Sequence, residues 1–359
     1  MIKARPYTPA LLLGCLIASV VTLLGVSGER TIAASATARG LYSLANTVLL
    51  GSPEDWDYVY YEQTLKEAFV AHGTEVTVVD GRTGEIRGRL GGLSGVHGLA
   101  TSTAQGKGYA VSREQHRVVV FDLKTLSVIK SIPVGAAGDS LVLDPVNKRV
   151  LVMDAEAPVA TVIDTERDAV VTTLSLGGTA EQAVASRTGK VFVNLAERRA
   201  VVRLDARTAQ IEARWPVPTC ESPHGVAIDE SSQRVFVSCL NSLLVVLDAV
   251  SGRLVASMPI GSGTDGVAFD PKRKRIFSSN GWDGTVSVIE ERAPDEYVSL
   301  GQVPTARFGR TMSIDTETGR LYIATADLDR IDPKRGKWAQ YVMKPGSVRL
   351  LLLDPLDKN

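Results

Sequence analysis

A short alternating apolar segment recurs seven times along the chain at a nearly fixed interval. It reads WDYVYYE from Trp56, VHGLATS from Val96, GDSLVLD from Gly138, AEQAVAS from Ala180, PHGVAID from Pro223, TDGVAFD from Thr264 and GRTMSID from Gly309. The second residues are Asp57, His97, Asp139, Glu181, His224, Asp265 and Arg310, separated by 40, 42, 42, 43, 41 and 45 positions. A unit of this size cannot bury both of its faces alone, so such units must stack on one another.

The rest of each unit is also strand and turn. Turns such as DPVNKR and DESSQR follow the first strand, and Asx side chains there mimic a backbone turn. A second strand comes next (KRVLVMD, GKVFVNL, QRVFVSC). A third ends in an acid at Asp80, Asp122, Asp164, Asp205 and Asp248, and a fourth reads SIPVG, LSLG or SMPIG. Four short strands per period predict an all-β, seven-bladed β-propeller with blades starting near 56, 96, 138, 180, 223, 264 and 309. No segment of the repeat keeps a 3.6-residue period, which excludes a helical solenoid.

The seventh unit ends after its third strand, SVRLLLLD. Its missing fourth strand is expected from residues 45–51, ANTVLLG, near the other end of the chain. Pairing the two ends removes the open sheet edges that an unclosed ring would expose. The competing reading makes 45–51 a linker strand.

Residues 1–38 read as a secretory signal. Lys3 and Arg5 precede the apolar run LLLGCLIASVVTLLGVSG, and small-residue cleavage patterns follow at Ala34–Ala36 and Ala36–Ala38. The run approaches the minimum for a membrane span, so membrane attachment is expected only if the segment is uncleaved. The expected compartment is the periplasm or the exterior, with residues 39–359 forming one monomeric propeller domain. Two cysteines remain beyond that segment, Cys220 and Cys239, both on the fifth unit. An exported pair predicts a disulfide. With 40 basic and 40 acidic residues the chain carries no net charge, which argues against nucleic acid as a partner.

The first strand of each propeller blade lines the central channel, so the seven second residues should ring one mouth of it. All seven are ionisable or histidine, with a net charge of −3 if both histidines are neutral. Crowded carboxylates raise one another's pKa or recruit a cation. The ligand-binding set is therefore Asp57, His97, Asp139, Glu181, His224, Asp265 and Arg310, joined by His72 from the neighbouring loops. A divalent metal is a candidate cofactor, with His97 and His224 as its ligands. The bland reading is a water-filled channel with polar walls. No activated nucleophile is recognisable, because G-x-S-x-G, H-E-x-x-H and phosphate-loop patterns are missing, and so is the haem motif C-x-x-C-H. Between Ala326 and Val348 the last unit inserts DLDRIDPKRGKWAQYVMKPGS, whose Trp338 and Tyr341 suggest a lid or a protein-partner contact.

The units GTEVTVVDGRTGEIRGRL, KVFVNLAERRAVVRLDARTAQ and QRVFVSCLNSLLVVLDAVSGRLVASMPIG resemble the bacterial YVTN-repeat, YncE-like propellers, over roughly Tyr42 to Asp354. That resemblance implies an exported seven-bladed propeller, with binding in some members; the function expected here is binding of a small molecule, metal or exported protein at the channel mouth, without catalysis of its own. The architecture is also similar to that of seven-bladed lactonases, so a lactone or ester hydrolase using the same ring is the alternative.

Overall fold

In the computed structural model, which describes residues 40–336 and 338–357, seven four-stranded antiparallel sheets stand in a ring. The leader expected over 1–38 and the Trp338 side chain lie outside the described residues. The innermost strands are Val59–Glu62, Val96–Ser102, Gly138–Asp144, Ala180–Ala185, Pro223–Asp229, Thr264–Asp270 and Met312–Ile314. Each pairs with a second strand whose end lies beside its start, as in Val96 opposite Ser112 and Pro223 opposite Cys239. This register puts the start of the inner strand and the loop between second and third strands on one face of the ring.

The recurring acids hold the opposite turns. Asp80 Oδ1 accepts from the N–H groups of Arg82 and Thr83, both at 2.9 Å, and Asp164 Oδ1 does the same for Glu166 and Arg167. Asp144, Asp229 and Asp270 close the turn after the inner strand in the same way, each through an N–H two residues on at 2.9 Å. The acid at the strand end is therefore a turn device repeated blade by blade.

Blades adhere through apolar side chains. The described residues form seven hydrophobic clusters, one at each blade boundary. Tyr61 stacks on Tyr322 with centroids 4.6 Å apart at the boundary where the first and last blades meet. Phe236 meets Phe269 at 5.1 Å between blades five and six.

The ring is closed by strand Tyr42–Gly51, which pairs antiparallel with Val348–Pro355 and forms the outer strand of blade seven. The closing strand is longer than 45–51, because pairing runs from Tyr42 opposite Pro355 to Gly51 opposite Val348. Its inward residues Tyr42, Val48 and Leu50 are buried. Cys220 and Cys239 are bonded, with Cα atoms 5.2 Å apart, and both are buried on the mouth face of blade five.

Two outcomes are expected. Removing Tyr42–Gly51 should abolish the single cooperative unfolding transition followed by circular dichroism, rather than fray one blade. Replacing Cys220 and Cys239 together with alanine should lower stability by about 3 kcal/mol in urea denaturation, from the loop-closure entropy the bond removes.

Candidate functional site at the channel mouth

In five blades the inner strand is irregular at the ring position. Pairing with the second strand skips from Val96 to Leu99, Gly138 to Leu141, Ala180 to Ala183, Pro223 to Val226 and Thr264 to Val267. The unpaired residues are the ring residue and its successor. Such a bulge re-aims side chains and frees backbone groups for other partners. The successors are Tyr58, Gly98, Ser140, Gln182, Gly225, Gly266 and Thr311.

The small successors are explained by close approach of neighbouring blades. A Cβ on Gly98 would lie 2.5 Å from Leu141 N, and one on Gly225 would lie 2.7 Å from Val267 N. Ser140 and Thr311 donate instead to the carbonyls of Glu181 and Asp57 on the next blades. Gly266 N–H donates to Arg310 O at 2.9 Å. The ring residues are thus pinned by backbone contacts across blade boundaries.

The structure divides the ring into two halves. On one side the groups neutralise each other. His97 Nδ1–H donates to Asp57 and lies 3.1 Å from Asp139 Oδ1. Arg310 holds Asp265 at 2.9 Å and lies 3.6 Å from Asp57, and Arg113 reaches Asp139 at 3.3 Å. Burial opposes charge on His97, but Asp57 and Asp139 outweigh it and push its pKa up to about 10. Burial likewise opposes ionisation of Asp57, yet His97 and Arg310 hold its carboxyl below the usual range. His97 is therefore an imidazolium at neutral pH, and the sequence-based charge count with both histidines neutral is corrected accordingly.

On the other side the groups are open. Glu181 accepts no side-chain hydrogen bond among the described residues, and its side chain is 30% exposed. Burial and the neighbouring Asp265, Asp139 and Asp57 push its carboxyl up to about 7 against the pull of His224. His224 Nδ1–H donates to Ser222 O at 2.9 Å, so the neutral ring carries its lone pair on Nε2. That Nε2 lies 3.9 Å from Glu181 Oε1, too far for a hydrogen bond. The Tyr58 hydroxyl also has no hydrogen-bond partner among the described residues. Burial raises its pKa well above the ordinary value, and Asp139, Asp57, Asp265 and Glu181 raise it further, as expected of a phenol facing the channel.

Gln182 donates through Nε2 to Asp265 O at 2.8 Å, a reach from blade four to blade six across the front of blade five. Tyr58, Gln182 and Arg113 are missing from the sequence-derived set. The signal for the first two is their position after the ring residue, where they are the only large side chains among seven successors.

His72, assigned to the mouth from sequence, is fully buried. Its Nε2–H donates to Pro53 O at 2.7 Å and faces Gly51 O at 3.2 Å, while Nδ1 lies 3.1 Å from both Glu75 and Thr77. It fastens the closing strand to blade one and leaves no nitrogen for a ligand. His97 and His224 are not brought into one metal-ligand set. Among the described residues, the group of three donors within 4.8 Å is Asp57, His97 and Asp139. There the His97 proton already occupies the space between the two carboxylates.

The insert of blade seven forms a hairpin, Leu328–Ile331 with Tyr341–Met343. Tyr341 is half-buried against Trp282 at 5.0 Å and Phe308 at 5.6 Å, and Gly281, which precedes Trp282, packs against Arg310. A separate cavity of about 350 Å³ lies on the opposite face, where two of its three arginines are engaged, Arg320 by Asp354 and Arg273 by Asp270.

No protein-family model matches the sequence, and neither does any curated protein. Solved structures do match in shape. A chain of Kuenenia stuttgartiensis hydrazine synthase aligns with a TM-score of 0.64 at 16% identity, over 75% of this chain and 91% of its own. A chain of the mitotic checkpoint complex aligns with a TM-score of 0.68 at 13% identity, over 87% and 96%. At these identities the likeness shows the propeller fold alone.

Stability should depend on pH through His97. Its folded pKa, about 10, lies above the unfolded value of 6.5, so the stabilisation is complete below pH 6.5 and is lost as pH rises toward 10. Urea denaturation between pH 6 and 10 should show a loss on the order of a few kcal/mol in wild type. A His97→Gln variant should be less stable at pH 6 and should lose less than wild type across that window, the remaining loss falling near pH 7, where the raised Glu181 carboxyl ionises.

Proposed function

We propose that this chain is an exported binding propeller of the YVTN-repeat, YncE-like kind, without catalysis of its own, that holds a small polar or cationic ligand at the channel mouth. The observation that carries this reading is the split ring. Asp57, His97, Asp139, Arg113 and Arg310 satisfy one another, whereas Glu181, His224 Nε2 and the Tyr58 hydroxyl face the channel without hydrogen-bond partners among the described residues. A binding site is a concave surface with a few convergent polar groups, and the open half has that form. The Cys220–Cys239 bond supports export to the periplasm or beyond, where disulfides persist. An exported protein partner would have the hairpin around Tyr341 as its docking element beside the ligand.

One observation favours a second reading. A carboxyl near pH 7 beside an imidazole lone pair suits general-base activation of water, as a lactonase-like hydrolase would require.

A screen of small amines and polar metabolites by thermal shift separates the two. A ligand of the binding propeller at 100 times its Kd should stabilise wild type by about 2.7 kcal/mol without being consumed. Glu181→Gln should remove that stabilisation while leaving the unliganded melting temperature close to wild type. Turnover of lactones that Glu181→Gln abolishes would replace the binding reading with the hydrolytic one.

A further inference from the structure

We propose that Glu181 and His224 form a divalent metal site of the Zn²⁺ type, completed by water; this rests on reading the open half of the ring as the binding half. The His224 tautomer is the first ground. Its Nδ1–H donates to a backbone carbonyl, Ser222 O at 2.9 Å, which in the neutral ring leaves the lone pair on Nε2, the nitrogen that faces Glu181. Metal-binding histidines are held in this way, with the distal N–H on a carbonyl or carboxylate.

The spacing is the second ground. Nε2 and Glu181 Oε1 are 3.9 Å apart. Metal legs of about 2.1 Å place two tetrahedral ligands about 3.4 Å apart, so a small rotation of the partly exposed Glu181 side chain closes the difference. A direct hydrogen bond would have drawn the two atoms to about 3 Å.

The third ground is preorganisation. Both donor residues have fixed backbones, and neither the Glu181 carboxylate nor His224 Nε2 has a hydrogen-bond partner among the described residues. Glu181 O accepts from Ser140 Oγ, and its successor Gln182 is tied to Asp265 O. His224 O accepts from Asn194 Nδ2 at 2.7 Å. A site whose supports are in place binds without ordering its own scaffold. An imidazole donor selects Zn²⁺, Ni²⁺ or Co²⁺ over Ca²⁺ or Mg²⁺.

The other histidines do not compete for this role. His72 is enclosed with both nitrogens engaged, and His97 presents N–H rather than a lone pair to its carboxylates. His116 is exposed on a turn, with Nδ1–H on Ala136 O at 2.8 Å, and serves as the control for adventitious binding.

The test is calorimetric titration of Zn²⁺ into untagged, chelator-treated protein, with Co²⁺ absorption as a second readout. Wild type should bind one ion per chain. His224→Ala and the near-isosteric Glu181→Gln should each weaken binding about tenfold or more, and His116→Ala should leave it unchanged. The visible Co²⁺ band should disappear with His224→Ala. No saturable binding to wild type, equal binding to both variants, or loss with His116→Ala would overturn the inference. If Zn²⁺ fails while an organic ligand still stabilises wild type and not Glu181→Gln, the metal site falls and the binding reading stands. If neither the ion nor any ligand acts through Glu181, both fall.

Discussion

Everything at the mouth depends on closure of the ring. Each blade buries its faces only against two neighbours, and the last blade has its neighbour only because Tyr42–Gly51 pairs with Val348–Pro355. That pairing brings the first and last blades together, with Tyr61 on Tyr322 between them. It also sets Arg310 of blade seven against Asp57 of blade one, although the two are far apart in the chain. His72 reinforces the joint by facing the carbonyls of Gly51, the last residue of the closing strand, and of Pro53 just beyond it. The charge network of the mouth is therefore assembled by the same event that removes the sheet edges.

The mouth shows how seven equivalent positions become an asymmetric site. The repeat delivers one ring residue per blade, and in five blades a bulge in the inner strand leaves its successor unpaired as well. Where the successor is Gly, Ser or Thr, neighbouring backbones close up and the ring residue is held rigidly. Where it is Tyr58 or Gln182, a large polar group enters the channel instead. Two cations, Arg310 and the His97 imidazolium, are shared among Asp57, Asp139 and Asp265, and Arg113 adds a third from the rim. Glu181 lies beyond their reach, and its carboxyl titrates near neutrality because burial and like charges are not offset by a direct ion pair.

Much of this was legible in the sequence because it repeats. The spacing of Asp57, His97, Asp139, Glu181, His224, Asp265 and Arg310 announced seven inner strands, and the acids at Asp80, Asp122 and Asp164 announced the turns they close. The disulfide was legible because two cysteines fell on one blade. His72 was misread because strand position alone does not say whether a side chain at a strand end faces the channel or the closing strand. Tyr58 and Gln182 stand one residue after a ring position, where strict alternation of faces gives no reason to look, and in blade four it is the bulge that turns Gln182 toward the mouth.

The sequence by itself determined the number of blades, their four-strand composition, the closing strand and the residues that would surround the channel. Those are consequences of period, alternation and turn chemistry, all of which act over a few residues. Only the tertiary structure decided which ring residues neutralise one another and which remain open. Partners in the ring come from different blades, 40 or more residues apart, and the separations that decide between an ion pair and an open donor are differences of about one ångström. His97 between Asp57 and Asp139, and His224 at 3.9 Å from Glu181, occupy the same place in the repeat and have opposite chemistry.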